Sequence, residues 1–252
     1  MEQVKKRRIC KHTDDSFLQT EDSLALEKKI RISVNGNEVL SLYCSPHMVR
    51  ELVVGLIMTE RIIRGNWCAE RMSIEYGDEV AVNIPAEGEV STEGKTITSG
   101  CGGGVTFDTG EHDEPIKDGL AVERERLRNI YREFQSRSAL YRITGCMHSA
   151  ALSDGKSILC FAEDIGRHNA VDKVIGYAIL EHIPFPGKIM LASGRISSEI
   201  SSKCARWGIP MLVTRTAPTT LAVEIAEKRG VTIVGFMRGN RFNVYSHPER
   251  IR

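Results

Sequence analysis

A cysteine followed by three glycines, Cys101 in TSGCGGG at 98–104, is the residue whose type and setting most directly offer chemistry. A thiol flanked by residues without side chains is easily approached, and glycine takes turn conformations at little steric cost. Packing cysteines are buried and inert, whereas reactive ones sit exposed near positive charge or free backbone N–H groups. The stretch therefore reads in two ways: as a loop presenting a reactive thiol, or as a glycine-rich hairpin that happens to contain Cys.

Further polar residues gather at four corners: Thr144 to Ser149, Glu163 to Asn169, Ser193 to Ser198 and Thr214 to Thr219. Ser, Thr and Gly are also simply good helix caps, which is the plain reading of any one corner. Arg167, Arg195 and Arg215 fall in three of them, however, and helix starts add free N–H groups. Together these suit an anion such as phosphate. Phe236-Met237-Arg238-Gly239-Asn240-Arg241 repeats the theme, with two arginines around a Gly-Asn turn. It reads equally as a phosphate or nucleotide contact and as a basic hairpin turn at a sheet edge. His148 and His168 are candidates for hydrogen-bonding or acid–base work beside such a ligand, or for capping alone.

A metal site can be assembled on paper from Cys101, Cys146, His148, His168 and Cys204. Only Cys146 and His148 are closely paired, His148 is followed by Ser149 and Ala150 rather than by the x-Glu of the zinc deaminases, and no CxxC occurs, so zinc chemistry of the deaminase kind is not expected.

Several elements must position these residues. Ile30 to Val34 and Glu38 to Tyr43 flank Asn35-Gly36, a strong hairpin signal. Ser45-Pro46 reads as the cap and first turn of a helix with Val49, Leu52, Val53 and Leu56 as its apolar stripe, stopped by Gly65. Met72 to Tyr76 and Val80 to Ile84 form a second strand pair. Residues 85–118 read as one long break containing Cys101, of a length that usually signals function or disorder. Beyond it, Leu127, Ile130, Tyr131 and Phe134 mark an amphipathic helix. Strands at Ser157 to Ala162, Lys188 to Ala192, Pro210 to Thr214 and Val231 to Phe236 then alternate with helices at Asn169 to Glu181, Ser197 to Trp207 and Pro218 to Arg229. Arg241 to Tyr245 reads as a final edge strand. Such alternation predicts a parallel sheet in a three-layer α/β domain, with ligands at the carboxyl ends of the strands. The chain divides on this pattern into a flexible tail (1–20), a β-rich part with one helix and the glycine loop (21–118), and an α/β domain (119–252).

A net charge of +1 argues against a nucleic-acid-coating protein, and KKRR at 5–8 reads as a solvated tail. No apolar run approaches a membrane span and no secretory signal is visible. Seven scattered cysteines, an odd number, fit a reducing compartment, so cytoplasm is the expected location.

The motifs TGCMHSAAL (144–152), EDIGRHNAVDKVIG (163–176), SGRISSEI (193–200), TRTAPTTLAVEIA (214–226) and GFMRGNRFNVYSHPERI (235–251) together resemble the FdhD family. Its members are sulfur carrier proteins needed for active formate dehydrogenases, and the likeness runs from the NGNEV hairpin to the HPERI tail. The resemblance implies a cytidine deaminase-like α/β/α carboxy-terminal domain without zinc. It implies that Cys101 accepts a sulfane sulfur from a cysteine desulfurase and passes it to the molybdenum cofactor in its bis-molybdopterin guanine dinucleotide form. Phe236 to Arg241 would then belong to the cofactor site, joined by Arg167, His168, Arg195 and Arg215, with guanine nucleotide as a surrogate ligand. A cytoplasmic homodimer is expected. One departure stands out: the family loop commonly carries a second cysteine three residues after the first, where this chain has Gly104. A lone thiolate suffices to carry sulfur, so only a local dithiol mechanism is removed. The alternative is a chaperone that holds the cofactor without transferring sulfur.

Overall fold

A computed structural model describes residues 2–90, 95–96 and 114–252 as a mixed α/β fold. Cys101 and Gly104 lie outside the described residues. The chain opens with an antiparallel hairpin, β1 (Val4–Thr13) and β2 (Ser16–Ala25). Where the sequence suggests a tail, the backbone is therefore paired into a ribbon, and most of its side chains remain exposed.

β3 (Lys28–Val34) and β4 (Asn37–Cys44) form the hairpin foreseen around Asn35 and Gly36, both in the left-handed region (φ 51° and 82°) that a tight turn requires. β6 (Ser73–Tyr76) and β7 (Val80–Ile84) pair antiparallel, β7 runs parallel to β3 in the same sheet, and the short β9 (Lys95–Thr96) runs parallel to β4. The helix α1 (Val49–Glu60) packs on this sheet, but it begins later than the Ser45-Pro46 signal suggests. Tertiary contacts override that cap: the Ser45 backbone N–H and hydroxyl both bond the Asp164 carboxylate, at 3.0 and 3.1 Å. Gly65 does not stop α1 either. It lies in β5 (Ile63–Trp67), opposite Gly88 of β8 (Ala86–Val90), so part of the presumed 85–118 break is a strand.

α1 buries more than the predicted stripe, including Val54, Gly55 and Ile57, because a second helix covers its other side. That helix is α4 (Arg167–Leu180). The two cross so closely that a Cβ on Gly55 would collide with the Asp172 carbonyl oxygen, and one on Gly176 with that of Glu51.

The larger sheet has the order β11-β10-β12-β13-β14-β15. Its strands are β10 (His148–Ser153), β11 (Ile158–Asp164), β12 (Ile189–Ala192), β13 (Met211–Thr214), β14 (Thr232–Arg238) and β15 (Arg241–Val244). The expected fully parallel sheet needs correction. β10, read as part of a corner, is a strand that inserts antiparallel between β11 and β12. Because both neighbours oppose it, β11 still points the same way as the parallel trio β12, β13 and β14.

Alternate side chains of the central strands enter different cores. Met190 and Leu212 pack with α4, α5 (Ser198–Arg206) and α6 (Thr220–Arg229), whereas Ile189, Leu191, Met211 and Val213 pack with α2 (Arg124–Arg137). Helices thus cover both faces, which explains why IMLA and MLVT are apolar throughout. Leu127, Ile130, Tyr131 and Phe134 are the buried residues of α2, as their spacing predicts. Among the described residues no helix is long and apolar enough to cross a membrane.

Candidate functional site

Because β11 to β14 share a direction, their carboxyl ends lie along one edge, joined there by the amino end of β10. All four polar corners meet on that edge. Crosslinks hold it together: the Thr214 hydroxyl donates to the Gly194 carbonyl at 2.6 Å, and the Ile196 and Thr219 amides bridge the corner loops after β12 and β13. From below, the Tyr131 hydroxyl of α2 donates to the Ala192 carbonyl at 2.8 Å.

Arg167 opens α4, half-buried, and its Nε has no hydrogen-bond partner among the described residues. It lies against Gly194: a Cβ there would sit 3.1 Å from Arg167 Cβ and 3.3 Å from His148 Nδ1. Gly194 is thus the space that lets a cation and an imidazole meet on adjacent corners. His148 Nδ1 is 3.3 Å from the Ser193 hydroxyl, whose oxygen also accepts the Ser149 amide.

Arg195 and Arg215 are exposed on the next two corners. Beyond them, the Arg238 Nε donates to the Arg215 carbonyl at 3.2 Å, and its guanidinium stands 5.8 Å from the ring centre of Phe236. Phe236 is 37% exposed and adopts a left-handed φ of 51°, a strained choice for an aromatic residue. The turn after β14 uses Gly239 at φ 56°, and the Asn240 carbonyl accepts from Arg128. Met237 is the exception within the FMRGNR segment. Its side chain is 2% exposed in the core against α2, because strand alternation turns it inward, so only its backbone is available to a ligand.

Arg238 and Arg241 are direct cross-strand partners. Like charges opposite one another destabilise a pair unless an anion lies between them. Among the described residues, Arg167, Arg195, Arg215, Arg238 and Arg241 form no ion pair. The acids nearby are engaged internally. Glu163 accepts the Leu140 and Tyr141 amides at the start of α3 (Ala139–Thr144), and Asp164 pairs with Lys173. Five arginines against Glu163 and Glu199 leave the edge with an excess of positive charge, the arrangement a polyanionic ligand requires.

Both histidines are held below the ordinary imidazole value. For His148 burial dominates, followed by Arg167, with Asp164 opposing. His168 is pushed down to about 3 by burial, then by Lys203, Arg167 and His148. Its contact with the Glu199 carboxylate acts the other way, but burial and the cations outweigh it. The unfolded chain takes up these protons near 6.5 while the folded one resists. The contribution of His168 to stability is therefore complete above 6.5 and lost as pH falls from there toward 3, and that of His148 is lost in the same direction. Urea midpoints should decline over that range, and less steeply in His168→Gln than in the native chain; equal slopes would refute the shift.

Of the donors considered for zinc, Cys204 is buried in α5 and Cys146 is exposed before β10. No three His, Cys, Asp or Glu among the described residues are grouped to hold a metal ion. Burial pushes the thiols of Cys44 and Cys160 up to about 12, and raises that of Cys204 as well. Those three cannot supply a thiolate.

The FdhD/NarQ family matches residues 25–252, nearly the whole chain. The chain belongs to the FdhD/NarQ family. A Bacillus licheniformis relative named sulfur carrier protein FdhD is 35% identical over 253 residues, covering 98% of this chain and 96% of its own. One from Staphylococcus aureus with the same name is 36% identical, covering 96% and 94%. A solved structure from Desulfotalea psychrophila, described as a formate dehydrogenase accessory protein, superposes at a TM-score of 0.78 over both full chains, with 24% identity. That likeness shows the fold.

Within this FdhD/NarQ member, the structure brings together Arg167, His168, Arg195, Arg215 and Phe236 to Arg241, which sequence reasoning had selected corner by corner. It also reveals residues that reasoning passed over. Lys173 and Asp164, both fully buried, pair at 2.6 Å and share Ser45. Asp164 further accepts from Asn169 and the Gly166 amide, so it holds the first turn of α4 in place. The one available signal was a Lys on an otherwise apolar helical face. Glu199 is the other omission: it contacts His168 from α5, a partner 31 positions away that no local pattern reveals.

Proposed function

We propose that this chain is a sulfur carrier for formate dehydrogenase maturation, working on the molybdenum cofactor as its substrate. Membership of the family, with relatives named sulfur carriers, supports the role. The observation that carries the substrate class is the row of arginines without acidic partners, closed by the facing pair Arg238 and Arg241. A bis-molybdopterin guanine dinucleotide brings several phosphates, and Phe236 offers an aromatic face for a ring system.

In the proposed cycle the Cys101 thiolate attacks the outer sulfur of a cysteine desulfurase persulfide. That sulfur–sulfur bond breaks, the desulfurase thiolate leaves, and Cys101 carries the persulfide. The terminal sulfur then passes to the cofactor's metal centre, which supplies the two electrons that make it sulfide, and the Cys101 thiolate is released. The protein binds the phosphates, orients the acceptor and shields a reactive sulfur. No resident zinc takes part. Helices on both sheet faces support a cytidine deaminase-like carboxy-terminal unit at 119–252, after a β-rich part at 21–118. The chain acts as a cytoplasmic homodimer on this reading.

Gly104, in place of a second loop cysteine, favours one other reading, a chaperone that holds the cofactor without transferring sulfur. Intact-mass analysis after incubation with a desulfurase and cysteine separates the two. The carrier gains one sulfur atom, and Cys101→Ala gains none and fails to restore formate dehydrogenase activity while still binding guanosine diphosphate. Full rescue by Cys101→Ala would establish the chaperone. Replacing Arg238 and Arg241 by Ala should weaken the nucleotide about tenfold or more, the scale of one or two charge-assisted hydrogen bonds. Unchanged binding would remove the phosphates from this edge.

A further inference from the structure

His168 sits in the first turn of α4, with Nε2 2.9 Å from Glu199 Oε2 and 3.1 Å from the Ser197 hydroxyl. Glu199 lies in the first turn of α5, where the helix terminus favours a carboxylate. An ionised carboxylate can only accept, so the nitrogen facing it must carry the hydrogen. No group among the described residues bonds the other ring nitrogen, Nδ1, and it is not among the buried atoms left without a partner.

We propose that Glu199 is a positioning residue that fixes His168 as the Nε2–H tautomer and leaves Nδ1 as a hydrogen-bond acceptor for the ligand of the arginine-lined edge. The proposal rests on the reading of that edge as a nucleotide-cofactor site. The arginines of the edge lack this character. Arg167, Arg195, Arg215, Arg238 and Arg241 only donate, whereas the ligand's phosphates only accept while fully ionised. A neutral imidazole with a fixed lone pair takes a donor hydrogen: a hydroxyl, ring N–H or thiol group carried beside the phosphates. It thereby selects ligands that combine anionic oxygens with such a donor.

The cations around the ring serve this state, against the pull of the Glu199 carboxylate. Lys203, one turn along α5 from Glu199, is held by Asp172 at 2.7 Å and by Glu60 at 2.9 Å. Together with Arg167 and His148 it disfavours a second proton on His168. Glu199 supplies direction rather than charge: without it, the ring could take its single hydrogen on either nitrogen and turn its donor side to the ligand.

The test is nitrogen-15 NMR of the imidazole rings in the full chain, alongside calorimetric titration with guanosine diphosphate. In the native protein His168 should show protonated Nε2 and unprotonated Nδ1 at neutral pH. Glu199→Ala should yield a tautomer mixture and bind the nucleotide about tenfold more weakly, the worth of one hydrogen bond. Glu199→Gln, whose amide oxygen still accepts from Nε2–H, should restore both. A merely structural role would lower the unfolding midpoint without moving the tautomer. A native Nδ1–H tautomer, an unaltered tautomer in Glu199→Ala, or a shifted tautomer with unaltered affinity overturns the proposal. If the native protein binds no guanosine diphosphate, the cofactor reading of the edge falls instead, and the ring spectra still decide whether Glu199 sets the tautomer.

Discussion

Lys173→Met is expected to cost about 3–5 kcal/mol of folding stability, the range for breaking a buried ion pair by removing one partner. Lys173 and Asp164 are both fully buried, and the ammonium also donates to the Ser45 hydroxyl and to the Ser45 and Glu163 carbonyls. Methionine fills similar volume, so little of the loss comes from a cavity. It comes from an Asp164 carboxylate left without a counter-ion, and from acceptors left without a donor. Asp164 keeps bonds from Ser45, Gly166 and Asn169, which sets the expectation within that range rather than above it. Urea denaturation followed by circular dichroism measures the change. The double variant Asp164→Asn/Lys173→Met should recover part of it, because a neutral amide can remain buried on the same donors. A loss below about 1 kcal/mol, the scale of an exposed pair, would mean that water reaches the site.

The second large effect lies one turn along the same helix. Gly176→Ala places a methyl group onto the Glu51 carbonyl of α1, and both sides of that contact are backbone. A rotamer change cannot relieve it, so α1 and α4 must separate. Overpacking typically costs ~1–3 kcal/mol, and a forced helix separation should sit at or beyond the top of that range. Gly55→Ala should behave alike, through the Asp172 carbonyl. The two combined should cost less than their sum, since one separation accommodates both. A Gly176→Ala variant with native stability would show that the helices cross less tightly than described.

Both variants matter to function because α4 begins at Arg167 and His168. The Asp164–Lys173 pair fixes its first turn against the end of β11, and the glycine crossing fixes its axis against α1. Loosening either should shift two of the groups assigned to the ligand while leaving Arg238 and Arg241 in place.

Much of this was legible in the chain itself. Asn35-Gly36 determined a hairpin, since only a few residue types accept left-handed angles in succession. Leu127, Ile130, Tyr131 and Phe134 determined a helix and its buried face, because helical periodicity is a local property. The arginine-bearing corners fall on one edge of the sheet, as their sequence positions suggest, since strand ends and helix starts can be read from neighbouring residues. Tertiary structure alone decided the rest. It moved the start of α1 by recruiting Ser45 to Asp164, 119 positions away, and inserted β10 against its neighbours, because strand direction depends on partners rather than sequence period. It also set Glu199 against His168 and Arg238 opposite Arg241. Local propensity acts over a few residues, whereas a buried charge or an imidazole takes whichever partner folding brings within hydrogen-bond reach.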